Sequence, residues 1–170
     1  TTLFRSGARG FKLAGKIATG SRSLSIGLAH ENGSLQAQLG SAPAEKLAQL
    51  VESFPVQLVD SQAHLLVNGG PRHRRQFLDW GVFHVEPIFF PAWQRYQRAL
   101  RQRNALLRSG KPIREVNSWD GELISSGEIL DRSRRDYLAV FASQATRWAR
   151  QALGEMEVGL EYRPGWPDCL

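Results

Sequence analysis

Apolar and polar positions alternate along the first third of the chain. Phe11-Lys12-Leu13-Ala14-Gly15-Lys16-Ile17 follows a period of two, and Leu24–Leu28 and Leu35–Leu39 repeat it. That period predicts half-buried strands. Between the second and third runs stands Glu31-Asn32-Gly33, and Asn-Gly is the strongest short hairpin signal. The expected product is an antiparallel meander. Ser41-Ala42-Pro43 then predicts the opening of a helix over 44–54, with Leu47, Leu50 and Val51 as its stripe and Pro55 as its stop. Val56-Gln57-Leu58-Val59 reads as a short buried strand, followed by the loop Asp60-Ser61-Gln62.

The period then lengthens. Asn68-Gly69-Gly70-Pro71 breaks the chain and starts a helix at Pro71. Phe89, Trp93, Tyr96, Leu100 and Leu107 are spaced by three, four or seven and predict a second helix. Ser109-Gly110-Lys111-Pro112 is a hinge. A long third helix is expected from Asp120 to Leu153, where Leu123, Leu130 and Tyr137 recur at heptad spacing beside Gly127, Arg134, Phe141 and Trp148, and Gly154 closes it. Two long helices joined by a short link predict a helical hairpin. Its expected seam holds Trp93, Leu100, Leu123, Leu130, Tyr137, Phe141 and Trp148. Strict alternation over 155–162 predicts a returning strand. The fold class is therefore α+β: an antiparallel sheet with an inserted helical lobe, divided as 1–63, 64–154 and 155–170.

Composition limits what such a chain does. At 170 residues and 42% hydrophobic, it is long enough for a real core. One cysteine, Cys169, excludes a disulfide scaffold and points to a reducing, cytoplasmic setting. No run approaches the ~18 apolar residues of a membrane span. The start, Thr1-Thr2-Leu3-Phe4-Arg5, has neither a signal-peptide pattern nor Met, so the chain reads as part of something longer. The charge is basic, 22 Lys+Arg against 16 Asp+Glu, and only Lys12, Lys16, Lys46 and Lys111 are lysines. Arginine forks suit phosphates and base stacking, which raises the case for a nucleic-acid partner.

Covalent chemistry finds little support. Gly10 to Lys16 fits seven positions of the phosphate-loop pattern, but the eighth, which must carry a hydroxyl for magnesium, is Ile17. The run also lies inside an alternating pattern, so an edge strand is the expectation. His30, His64, His73 and His84 have no metal-ligand spacing, and no nucleophile motif occurs. No catalytic residue and no metal ligand is assigned.

Binding chemistry is better represented. From Arg72 to Arg108 eight arginines face two acids, Asp79 and Glu86. Arg95, Arg98 and Arg101 step by three along one helix side with Trp93 and Tyr96 interleaved, which suits successive phosphates and stacked bases. The same spacing suits a solvated face with both aromatics turned into the seam. Arg72, Arg74 and Arg75 follow a Gly-Gly-Pro turn, a second candidate anion site and equally an ordinary helix start.

The run Leu66-Val67-Asn68-Gly69-Gly70-Pro71-Arg72-His73-Arg74-Arg75-Gln76-Phe77-Leu78-Asp79-Trp80-Gly81-Val82-Phe83-His84-Val85-Glu86-Pro87 resembles the RecF family of bacterial DNA replication and repair proteins. So does Trp93 to Arg108, at matching separation. Weaker likeness extends to Phe11–Ile17, Phe54–Leu58, Trp119-Asp120, Glu122-Leu123 and Tyr162–Trp166. The resemblance implies an ATPase head related to ABC and SMC proteins, with a helical second lobe. It also implies ATP and magnesium in the intact protein, an ATP-dependent homodimer, and binding of single-stranded and duplex DNA at gaps. Assistance to RecA loading with RecO and RecR is implied as well. The family's phosphate loop, signature and Walker B segments find no match in these 170 residues, so this chain reads as the middle of such a protein, inactive as an ATPase by itself. By resemblance Gln62 falls in a nucleotide-sensing loop. Two other readings stay open: a stand-alone nucleic-acid module, and a helical lobe that contacts only a protein partner.

Overall fold

A computed structural model describes residues 8–57, 61–154 and 158–165, apart from the side chains of Thr19 and Arg22. The chain forms two compact units, Thr1–Asp60 and Ser61–Leu170.

The first unit is a four-stranded antiparallel sheet in the order β1 (Gly10–Thr19), β2 (Arg22–Glu31), β3 (Ser34–Leu39), β4 (Ala42–Pro43). The meander follows from its turns. Asn32 and Gly33 have φ of 49° and 79°, the paired positive values of a two-residue hairpin turn, and Glu31 pairs with Ser34 across it. β1 pairs with β2 from Gly10↔Glu31 to Thr19↔Arg22. The Gly10–Ile17 run is thus an edge strand, its backbone committed to a ladder. Pro43 does not open a helix: it sits in β4, paired with Gln38. Proline lacks the N–H for a central ladder but is accommodated at an edge. Helix α1 therefore starts later, at Leu47, and runs to Ser53. Residues 55–57 are not strand, and Leu58 and Val59 lie outside the described residues.

The second unit holds α2 (Leu65–Asn68), α3 (Pro71–Val85), α4 (Phe89–Arg108), α5 (Ile113–Asn117) and α6 (Asp120–Leu153). Pro71 is the first residue of α3, and Gly154, at φ 71°, stops α6. The packing departs from a simple hairpin. Phe77 of α3 meets Phe141 of α6 edge-on at 5.7 Å, and a Cβ on Gly81 would collide with the Tyr137 ring. Further along, the Arg134 guanidinium lies 5.9 Å over the Phe89 ring, Arg95 reaches Glu122 and Arg103 reaches Asp120. So α3 and α4 lie one after the other against α6, both antiparallel to it. At ~1.5 Å per residue, α6 is about 50 Å long, more than either shorter helix covers alone. The core is Val82, Phe89, Ala92 and Leu130, with Leu78, Phe83, Trp93, Tyr96, Ile129 and Tyr137 packed on it.

Two expectations fail here. Trp148 is 58% exposed and not part of the seam. The reason is the length of α3: Pro71, its first residue, is level with about Arg147 by the Phe77–Phe141 register, so Trp148 lies beyond the cover. The alternation over 155–162 does not make a strand in its described part, where 158–164 are irregular. That segment is tied to α6 by side chains: Thr146 donates to the Val158 carbonyl at 3.2 Å, and Tyr162 donates to Asp131 at 2.8 Å. Among the described residues no helix is long and apolar enough to cross a membrane.

Candidate nucleic-acid interface

The arginines that the sequence groups together have different fates. Arg95 pairs with Glu122 at 3.2 Å, and Arg103 with Asp120 at 2.7 Å. Both acids stand in the first turn of α6, where the helix dipole favours them. Arg98 and Arg101, between these pairs, are exposed and have no hydrogen-bond or ion-pair partner among the described residues. They are three residues apart on α4, one turn, and free to meet phosphate oxygens. Trp93 and Tyr96 are half-buried against the core, so they do not interleave with the free arginines as stacking platforms.

The second group also divides. Arg74 donates to the Gly69 carbonyl at 2.7 Å and to those of Leu66 and Val67 at 3.4 Å. These carbonyls end α2 and have no helical partner, so the guanidinium caps that end and fastens it to α3. Arg72 and Arg75 are exposed and unpaired among the described residues. Arg98 and Arg101 lie over the first turn of α6, whereas Arg72 and Arg75 lie near the level of 143–146. The two groups are therefore separated by roughly 35 Å along α6. They are two patches, not one.

A bonded polar network lies between them, built on Asp79, Arg134, Asp131, Arg135 and Tyr162. Arg134 makes a two-pronged bridge to Asp79, 2.7 and 3.0 Å. Burial opposes the charge on Arg134, but the Asp79 carboxylate outweighs it and holds the guanidinium pKa above its ordinary value. Asp131 accepts from Arg135 at 2.8 Å and from the Tyr162 hydroxyl. Burial, then the Asp131 carboxylate, pushes the Tyr162 phenol up to about 12, with Arg134 opposing. The heptad repeat did contain Arg134, and an arginine within an apolar stripe was the available signal for a buried partner.

The Gly10–Ile17 run is not a phosphate loop. The Gly10–Ile17 backbone is held in the β1–β2 ladder and forms no loop around a phosphate. Among the described residues no group of three or more His, Cys, Asp or Glu could hold a metal. Gln62 is exposed on the turn before α2, its carbonyl accepting from Leu65 N–H at 2.9 Å. Cys169 lies outside the described residues.

Known proteins decide the family. No family model matches the chain. The DNA replication and repair protein RecF of Vibrio vulnificus is 41% identical over 135 residues, 79% of this chain and 38% of that protein. RecF of Erwinia tasmaniensis is 36% identical over 157 residues, 92% of this chain and 44% of its own length. The chain belongs to the RecF family. It spans about two-fifths of the length of these RecF relatives. A solved structure of the recombination mediator protein RecF with ATP, in the RecFOR pathway, superposes with a TM-score of 0.81 at 17% identity. That likeness covers 91% of this chain and 43% of the RecF structure, and it shows a shared fold. The α+β architecture is thus that of a RecF protein.

Proposed function

We propose that this RecF-family chain contributes DNA contacts to a replication and repair protein, through Arg98 and Arg101 of α4. One observation carries this reading: among the described residues these two arginines are exposed and unpaired, where their neighbours Arg95 and Arg103 are neutralised by acids. Arg95 is the third member of the row and would contribute once its surface pair with Glu122 opens, at a cost of under about 1 kcal/mol. Arg72 and Arg75 form the second patch, while Arg74 serves the fold.

The wider role rests on family membership. We assign to the intact protein the binding of ATP and magnesium, ATP-dependent dimerisation, and assistance to RecA loading with RecO and RecR at single-strand gaps in the cytoplasm. In that protein residues 1–63 and 155–170 would belong to the ATPase lobe and 64–154 to the helical lobe. Gln62 is assigned to a nucleotide-sensing loop by resemblance alone. The family's phosphate loop, signature and Walker B acids would come from other segments of that protein.

The test is DNA affinity as a function of salt. Each phosphate contact contributes about one unit to the slope of log affinity against log salt. Changing Arg98 and Arg101 together to Glu should weaken binding to all sequences alike and flatten the slope by about two units. An unchanged slope would leave α4 with a solvated face and favour the reading as a protein-contact lobe.

A further inference from the structure

The apolar stripe of α6 outruns its cover. Seven residues past Phe141, Trp148 continues the stripe beyond the first residue of α3, and 58% of it is exposed. On the adjoining side Val140, Gln144, Arg147 and Gln151 follow one another at spacings of four, three and four, all exposed. From Tyr137 to Gly154 the helix carries Arg147 and Arg150 and no acid. The same end of the unit receives Arg72 and Arg75 from the first turns of α3. All four guanidinia lack an ion-pair partner among the described residues.

We propose that the Trp148 end of α6 is a stacking site for an unpaired base of single-stranded nucleic acid. Arg147 and Arg150 would engage the phosphates beside it, and Arg72 and Arg75 those further along the strand. The inference rests on the DNA-binding reading and adds to it a second contact, about 40 Å along α6 from Arg98 and Arg101. Charge selects the occupant. Four guanidinia without an ion-pair partner among the described residues, on a stretch of α6 that carries no acid and the adjoining turns of α3, complement the phosphates of a polyanion. An exposed indole accepts any base face, and arginine forks match the phosphates on either side. A duplex offers no free base face, so the site discriminates by strandedness and not by sequence.

Binding of the 170-residue chain to a labelled oligothymidine strand and to a duplex of equal length, at low salt, tests this. Trp148→Ala should weaken single-strand binding roughly tenfold, while duplex binding changes by less than about twofold. Trp148→Phe, which keeps a ring, should retain most of the single-strand affinity. Arg98→Glu with Arg101→Glu should weaken both substrates. Single-strand affinity unchanged in Trp148→Ala, or an equal loss on both substrates, overturns the stacking site. If Trp148→Ala binds normally and the α4 double variant does not, the stacking site alone is overturned. If the parent chain binds neither substrate, the DNA reading and this site go together. Because Trp148 is more than half exposed, its substitution should leave the fold intact, and unchanged circular dichroism checks this.

Discussion

The two units hold themselves together by different means. In the sheet unit hydrogen bonds run in unbroken register along β1 and β2, yet no described residue is buried: Leu13 is 60% exposed and Leu35 43%. In the helical unit the ladder lies inside each helix, and side chains join the pieces. Val82, Phe89, Ala92 and Leu130 lose nearly all contact with water, and a two-pronged Asp79–Arg134 bridge spans α3 and α6. Hydrogen bonds contribute about 1 kcal/mol each once water is accounted for, whereas burying a large apolar side chain contributes roughly 1.5–3 kcal/mol. The difference teaches that register and stability are separable. A strand can be fixed in place by its turns while its faces wait for cover.

The sharpest way to break that comparison is at Phe89. It is 2% exposed, and the Arg134 guanidinium rests over its ring. Phe89→Ala leaves a cavity where α3, α4 and α6 converge, and should cost about 3–5 kcal/mol. Denaturant melts followed by helical dichroism read this directly. A loss below about 1 kcal/mol would mean that the helical unit has no more of a core than the sheet.

How much of this could be read from sequence differs between the units. The β2–β3 hairpin was legible because Asn32-Gly33 acts locally: both residues need positive φ, and few others accept it. The limits of α6 were legible for the same reason, through Gly154. What was not legible depends on partners distant in sequence. Heptad spacing put Trp148 in the seam, but spacing says nothing of how far the opposing helix extends, and α3 begins too late to cover it. Arg95, Arg98 and Arg101 looked equivalent, and only the acids at the start of α6 tell them apart. Sequence groups Arg74 with Arg72 and Arg75, whereas in the fold it bonds the carbonyls that end α2. Residues 155–162 alternate as a strand should, but a strand also needs a neighbour to bond, and over the described part α6 side chains hold the segment instead.

A second, smaller effect sharpens the comparison through pH. The fold raises the Tyr162 phenol from an ordinary value near 10 to about 12. Its neutral form is therefore favoured when folded, so its contribution is fully present below pH 10 and is lost as pH rises through 12. Over that window residues 158–165 should loosen from α6 before α6 itself unfolds. Burial raises the Tyr137 phenol as well, so phenolate absorbance should show more than one late ionisation, and Tyr162→Phe should remove the step at about 12 while leaving that of Tyr137. If all tyrosines titrate together near pH 10, the Asp131 bond does not hold this segment in solution.

The smallest expected effect lies in the sheet. Leu13 stands mid-way along the edge strand β1, opposite Leu28, and keeps more than half its surface in water. Removing its side chain opens no cavity, because nothing encloses it. Leu13→Ser should therefore change the stability of the unit by less than about 0.5 kcal/mol, the range of surface substitutions away from special features. Amide exchange along β2 is the suitable measurement, since it reports local opening of the β1–β2 ladder without waiting for global unfolding. Protection unchanged within about threefold is the expected result. A drop of a hundredfold would mean that Leu13 is enclosed in solution, that the sheet face already has its cover, and that the contrast between a held register and a buried core does not describe this molecule.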